Sequence, residues 1–268
     1  MTLFDPNAFK GIRVALTRVV LHICFNRPHK KNAMNLALVE EVMNCFNRVE
    51  QGDIRAVVIE GSEGNFCAGG DISDMHLSAL NEAERDKAIW HFNRSFGRMI
   101  TQVKHAPTAV IVVVEGAVLG GGFGLACVAD ITLACDNAFF ALPETGLGVI
   151  PAQIAPFVAM RIGVDHTKRL ALTGEKLNAQ QAHNMGLVHE VCTTKERHES
   201  ISKLLQKIKR CAPQANAATK RLLLELDNQP LETLLDHAAT QFVRSLSSAE
   251  GIEGTRAFMQ KRQATWCE

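Results

Sequence analysis

Residues 118–145 read VLGGGFGLACVADITLACDNAFFALPET, placing three glycines, Gly120, Gly121 and Gly122, behind an apolar stretch and one acid, Glu144, downstream. A strand running into such a triplet and then into FGLACVAD predicts a tight turn into a helix N-terminus. Unpaired backbone N–H groups point outward there, and the helix dipole favours negative charge. FCAGGD at 66–71 has the same character and also follows a short apolar stretch, IRAVVIEG. One N–H from each turn, converging on a single oxygen, would stabilise the enolate of a thioester, because charge develops on that oxygen in the transition state. Either cluster taken alone is better explained by packing, in which glycine merely permits close approach or positive φ.

The surrounding sequence supplies elements able to hold these turns. VALTRVVLHICFN, Val14 to Asn26, alternates like a strand and stops before Pro28, while NLALVEEVMNCFNRVEQ carries apolar residues at helical spacing. TAVIVVVEG is a further buried strand leading to the glycine triplet. Strands alternating with helices predict an α/β core with mostly parallel strands and chemistry gathered at strand ends. Beyond about residue 190 the texture becomes wholly helical, with Pro213 and Pro230 placed to start helices. The division is therefore a core over 1–195 and a helical appendage over 196–268, whose apolar stripes need a partner. No internal repeat is visible in the sequence.

Composition narrows the function classes. The 268 residues are 47% hydrophobic, enough to bury a sizeable core. A net charge of +1 provides no broad field for nucleic acid or an anionic membrane, so an anion must be held locally. The eight cysteines form no C-x-x-C pair, which reads as free thiols in a reducing compartment and suggests no zinc site. The N-terminal residues lack a basic segment followed by an apolar one, and the longest apolar run, Ala109–Val114, falls far short of the roughly 18 residues of a membrane span. A soluble, cytoplasmic protein is expected.

FCAGGDISDM, EGAVLGGGFGLACVADITLA and FALPETGLGVIPAQIAPF, followed by LTGEKLNAQQAHNMGLVHEV and EGTRAFMQKRQATW, resemble the enoyl-CoA hydratase/isomerase, or crotonase, superfamily in order from about Val14 to Trp266. The resemblance implies a crotonase-like spiral of ββα units with a helical C-terminal domain. It also implies acyl-CoA substrates, with coenzyme A part of the substrate and no metal or redox cofactor, and assembly as a trimer or dimer of trimers. Carried over by position, the oxyanion donors fall on the backbone N–H groups of Gly70 and Gly121, and the catalytic carboxylate on Glu144. Lys30, Lys31 and Ala68 fall where the family meets coenzyme A, and Phe258 and Lys261 where it approaches the adenine end, often from a neighbouring subunit. For the lysines a solvated basic face is the competing explanation; for Phe258 and Lys261 it is an amphipathic helix. Asp71 and Asp74 could orient their turn, line the pocket or cap a helix.

One departure stands out. The best-known hydratases of the superfamily carry another glutamate three residues after the middle glycine, where this chain has Gly124, and a glycine-rich stretch where it has VIPAQIAPFV. Gly124 with that PAxIxPFV pattern resembles bacterial hydratases of 3-methylglutaconyl-CoA and isohexenylglutaconyl-CoA, from leucine and acyclic-terpene breakdown. The expected activity is addition of water across C2=C3 of a branched 2-enoyl-CoA. A Δ3,Δ2-enoyl-CoA isomerase using Glu144 alone and a non-catalytic acyl-CoA- or RNA-binding relative remain the alternatives.

Overall fold

The computed structural model describes residues 8–50, 53–71, 73, 80–226 and 228–267. Its chain begins with a hairpin, β1 (Ile12–Thr17) and β2 (Val20–Phe25), followed by helix α1 (Leu36–Val49). The single strand expected over Val14 to Asn26 is thus two antiparallel strands, because Arg18 turns the chain at φ 55° in a conformation its side chain does not advertise. α1 starts on Asn35, whose side chain accepts from the Leu38 N–H, and buries Leu38, Val39, Val42, Cys45, Phe46 and Val49 along one face.

After this opening the chain repeats a pattern. β3 (Ala56–Gly61), β4 (Ala109–Val114) and β6 (Ile131–Cys135) join a six-stranded sheet in the order β1-β2-β3-β4-β6-β9, parallel in every pairing after the first. Each is followed by a short inner segment: Cys67, which forms an isolated parallel bridge to Val118, then β5 (Ala117–Leu119), then β7 (Phe139–Ala141). β5 and β7 pair in parallel, and β8 (Leu177–Asn178) closes this smaller sheet antiparallel to β7. Helices α2 (Glu82–His105), α3 (Gly121–Val128) and α4 (Ala155–Ile162) complete the successive turns, and α5 (Val164–Thr173) and α6 (Ala179–Asn184) lead to β9 (Glu190–Cys192). The result is a spiral of ββα turns whose inner strand ends lie side by side.

The main core lies between the large sheet and α1, α2 and α3, filled by residues such as Phe25, Phe46, Phe66, Phe123 and Phe140. The opposite sheet face is covered by α7 (Arg197–Lys209) through Ile201 and Ile208, packed near Val58, Ile111 and Leu133. α8 (Pro213–Leu224), α9 (Leu231–Leu246) and α10 (Ala249–Met259) follow, the first two entered through Pro213 and Pro230. Lys220 of α8 reaches back to Asp130 at 2.7 Å, and Arg55 donates to the carbonyls of Lys209, Cys211 and Trp266. These anchors leave Leu223, Leu231, Phe242, Val243 and Phe258 each more than half exposed.

Candidate active site

The spiral brings the two glycine-rich turns together through backbone pairing. Cys67 N–H donates to Ala117 O and Leu119 N–H to Cys67 O, both at 2.9 Å, so the 66–71 segment and β5 run in parallel and end side by side. Immediately beyond, Gly69 O accepts from Met34 N–H and Asp71 N–H donates to Met34 O, each at 2.8 Å. That bridge turns the intervening Gly70 N–H away from Met34. Gly121 is the first residue of α3, where an N–H has no acceptor within its own helix. Among the described residues no carbonyl accepts from either N–H.

Gly120 shows why this turn lacks a side chain. Its φ is 49°, and a Cβ placed on it would stand 2.7 Å from Glu144 Oε1 and 3.7 Å from Gly69 Cα. The carboxylate and the first glycine turn therefore close on Gly120 from the same side. Glu144 begins a 3-10 turn after β7, three residues beyond the strand's end. Its Oε2 is buried and has no hydrogen-bond partner. Burial pushes its carboxyl above the ordinary glutamate value, only partly offset by its own backbone N–H. A carboxylate held partly out of water with a spare oxygen is suited to taking up a proton and giving it back.

The first turn is locked from behind by Asp71 together with two residues outside the glycine motifs, Arg27 and Asn32. Arg27 and Asp71, both buried, form an ion pair at 2.9 Å, and Arg27 Nη1 also donates to Ala33 O at 2.6 Å. Burial raises the Asp71 carboxyl, but hydrogen bonds from Ser73 and Arg27 outweigh it and hold the group below its usual value. Asp71 thus orients the turn; Asp74 lies outside the described residues. Asn32, fully buried at φ 57°, accepts from Arg27 N–H and donates to Ser62 O and Asn65 O, tying the segment to the turn after β3. Cys67 Sγ accepts from Gly69 N–H at 3.3 Å. No local pattern marks this network: Arg27 lies 44 residues from its partner Asp71, and Asn32 lies 30 residues from its partner Ser62.

The walls are apolar. A Cβ on Gly121 would meet Phe96 and Met34 at 3.0 and 3.1 Å, and one on Gly70 would meet Phe92 at 3.7 Å, so α2 covers both turns with phenylalanines. At Gly124 the same construction lands 2.4 Å from Ile154 Cγ2 and 3.1 Å from Ile100 Cδ1. Ile154, 3% exposed, comes from the PAQIAPF stretch and fills the space where a second acid would project. The two departures noted in the sequence are thus one structural feature.

The remaining expected contacts are more scattered. Ala68 sits in the first turn, its N–H donating to Lys31 O at 3.0 Å. Lys30 and Lys31 are exposed on the adjoining turn, with Lys30 Nζ 3.2 Å from Ser73 Oγ. Phe258, 84% exposed, lies at the end of α10, which packs against α9, and Lys261 follows just beyond the helix. Among the described residues no helix is long and apolar enough to cross a membrane.

Comparison with known proteins agrees with this geometry. The profile described as "Enoyl-CoA hydratase/isomerase" matches residues 16–268. The crystal structure of an enoyl-CoA hydratase/isomerase from Marinobacter aquaeolei is 45% identical, with a TM-score of 0.93 over 96% of this chain and 99% of that one. AtuE of Pseudomonas aeruginosa is 44% identical, with a TM-score of 0.92 over 97% and 100% of the two chains. The 2,3-dehydroadipyl-CoA hydratase of Escherichia coli K12 is 31% identical over 91% of this chain and 93% of its own. With the spiral, both glycine turns and the facing carboxylate in place, the chain belongs to the enoyl-CoA hydratase/isomerase family and has the crotonase fold.

Proposed function

We propose that the protein is a lyase that adds water across the C2=C3 double bond of a 2-enoyl-CoA. The observation that carries this reading is the half-buried Glu144 carboxylate, its Oε2 buried without a partner, standing against Gly120 beside the two free N–H groups of Gly70 and Gly121. These donors hold the thioester oxygen as it gains charge. Glu144 takes a proton from water as its oxygen bonds to C3, then delivers a proton to C2, so one carboxylate serves both ends of the addition.

Branched glutaconyl thioesters are the proposed substrates. Gly124 and Ile154 support this choice, since together they replace a second acid with an apolar wall. The relative from Escherichia coli acts on a dehydroadipyl thioester, whose acyl chain likewise ends in a carboxylate. Coenzyme A is held along Lys30, Lys31 and Ala68, with Phe258 and Lys261 closing on its adenine end, and no separate cofactor takes part. The exposed apolar residues of α9 and α10, with Leu147 and Ile150 at the rim of the Glu144 turn, support assembly as a trimer or dimer of trimers. We place the enzyme in the cytoplasm.

The single carboxylate also favours a second reading, a Δ3,Δ2-isomerase in which Glu144 moves a proton between C2 and C4. One experiment separates them: a conjugated 2-enoyl-CoA loses its absorbance on hydration, whereas an isomerase acting on a 3-enoyl-CoA creates that absorbance. Gain without loss would replace the hydratase reading.

A further inference from the structure

Beside the apolar floor lies a polar cluster that the proposed chemistry does not use. Gln153, the residue before Ile154, donates from Nε2 to Asn93 Oδ1 of α2 at 2.9 Å. Gly97 makes this approach possible: a Cβ there would lie 1.9 Å from Gln153 Oε1 and 2.9 Å from Arg94 Nη1. The two side chains therefore meet over the same point of α2. That point is one residue along from Phe96, which stands against Gly121, and Gln153 is one residue from Ile154, which stands against Gly124. The cluster therefore sits about 100° around α2 from the face that meets Gly121, at the side of the wall that an acyl chain would follow if its thioester oxygen sat at Gly70 and Gly121.

Its chemistry is that of a receptor for an anion. Among the described residues, no carboxylate pairs with Arg94. The carbonyl oxygen of Asn93 is already engaged by Gln153, which leaves its amide N–H groups as donors beside the guanidinium. A planar guanidinium presents two parallel N–H groups to a carboxylate, a geometry that an apolar acyl terminus cannot use. We infer that Arg94, set in place by the Asn93–Gln153 pair across Gly97, recognises an anionic group at the far end of the acyl chain and makes the enzyme selective for dicarboxylic thioesters. This inference rests on the thioester being bound as proposed above.

The test compares thioesters with and without a distal carboxylate. In the full-length enzyme, Arg94→Met should lower the ratio of kcat/KM for glutaconyl-CoA over crotonyl-CoA by about tenfold, the lower end of the range for a hydrogen bond to a charged group because Arg94 is exposed. Arg94→Lys should recover part of that ratio. Calorimetric titration with the unreactive glutaryl-CoA and butyryl-CoA should show the same loss of preference. An unchanged ratio in both assays, in a protein with wild-type circular dichroism, overturns the inference while leaving the hydratase reading intact. A wild type that hydrates neither thioester but loses its glutaryl-CoA preference on Arg94→Met overturns the hydratase reading and upholds the recognition.

Discussion

The ends of β5 and β7 occupy equivalent places in consecutive turns of the spiral, yet they offer opposite things to a ligand. After β5 the chain presents bare backbone at Gly121, and the equivalent segment one turn earlier presents Gly70, held from behind by the buried Arg27–Asp71 pair and by Asn32. After β7 it presents a carboxylate whose outer oxygen has no partner at all. In the mechanism proposed above, the donors that must not move as charge develops are backed by a hydrogen-bonded network, while the group that would gain and lose a proton keeps one oxygen unsatisfied. The same architectural position serves either end because only the residue two or three places beyond the strand differs.

The sharpest way to break this contrast is Glu144→Gln, which keeps the shape of the side chain and removes its basicity. Turnover should fall by about 10² to 10⁴-fold, the usual weight of general acid–base catalysis, while binding of a saturated acyl-CoA changes far less. Steady-state kinetics with a parallel titration checks both, and an active variant would reject the mechanism. On the other side of the contrast, Gly121→Pro removes one N–H at the first residue of a helix, where proline's fixed φ suits the backbone while its ring presses on Phe96 and Met34. The expected loss of transition-state stabilisation is about 2.7 to 4 kcal/mol, measured as kcat/KM in a variant whose circular dichroism matches wild type.

Gly124 sharpens the comparison from within α3. It lies three residues from Gly121, but its missing side chain makes room for Ile154 instead of exposing an N–H. Gly124→Glu should destabilise by about 1 to 3 kcal/mol through overpacking, before any penalty for the buried charge. Adding Ile154→Ala should return part of that loss, so thermal unfolding of the single and double variants should be clearly non-additive.

The smallest effect is on pH dependence. Because burial raises the folded-state value of Glu144, the folded protein holds that proton over a pH range where the unfolded chain has released it. Stability from this group is therefore greatest below the ordinary glutamate value of 4.5 and declines as pH rises through the higher folded value. Glu144→Gln, which carries no such penalty, should have the higher Tm at neutral pH, with the difference shrinking as pH falls. A constant offset across the range would contradict the assignment of an unsatisfied carboxylate.

Much of this site was legible in the sequence because glycine and glutamate announce themselves by type and spacing: Gly70, Gly121 and Glu144 all fall at strand ends. The spiral was harder to see. Its inner strands are three residues long, or in the case of Cys67 a single bridge, too short for periodicity to register, and so no repeat was visible although the three site groups are placed by one. The hairpin at Arg18 escaped notice because positive φ fell on a residue that gives no sign of it. The Arg27–Asp71 pair and the seat of Ile154 on Gly124 depend on contacts between distant segments, and nothing in local pattern encodes a distance.

Cys67, whose sulfur is folded against Gly69 inside the first glycine turn, gives the protein a particular chemical temperament. Only a thiolate attacks an alkylating agent or a disulfide, and burial pushes this thiol up to about 12. Cys211, by contrast, lies exposed just beyond α7. Brief treatment with a maleimide should mark Cys211 first, with the partly exposed Cys24 and Cys267 next in reach, and leave the turn untouched, so a reporter dye can be attached without first removing the sulfur of Cys67.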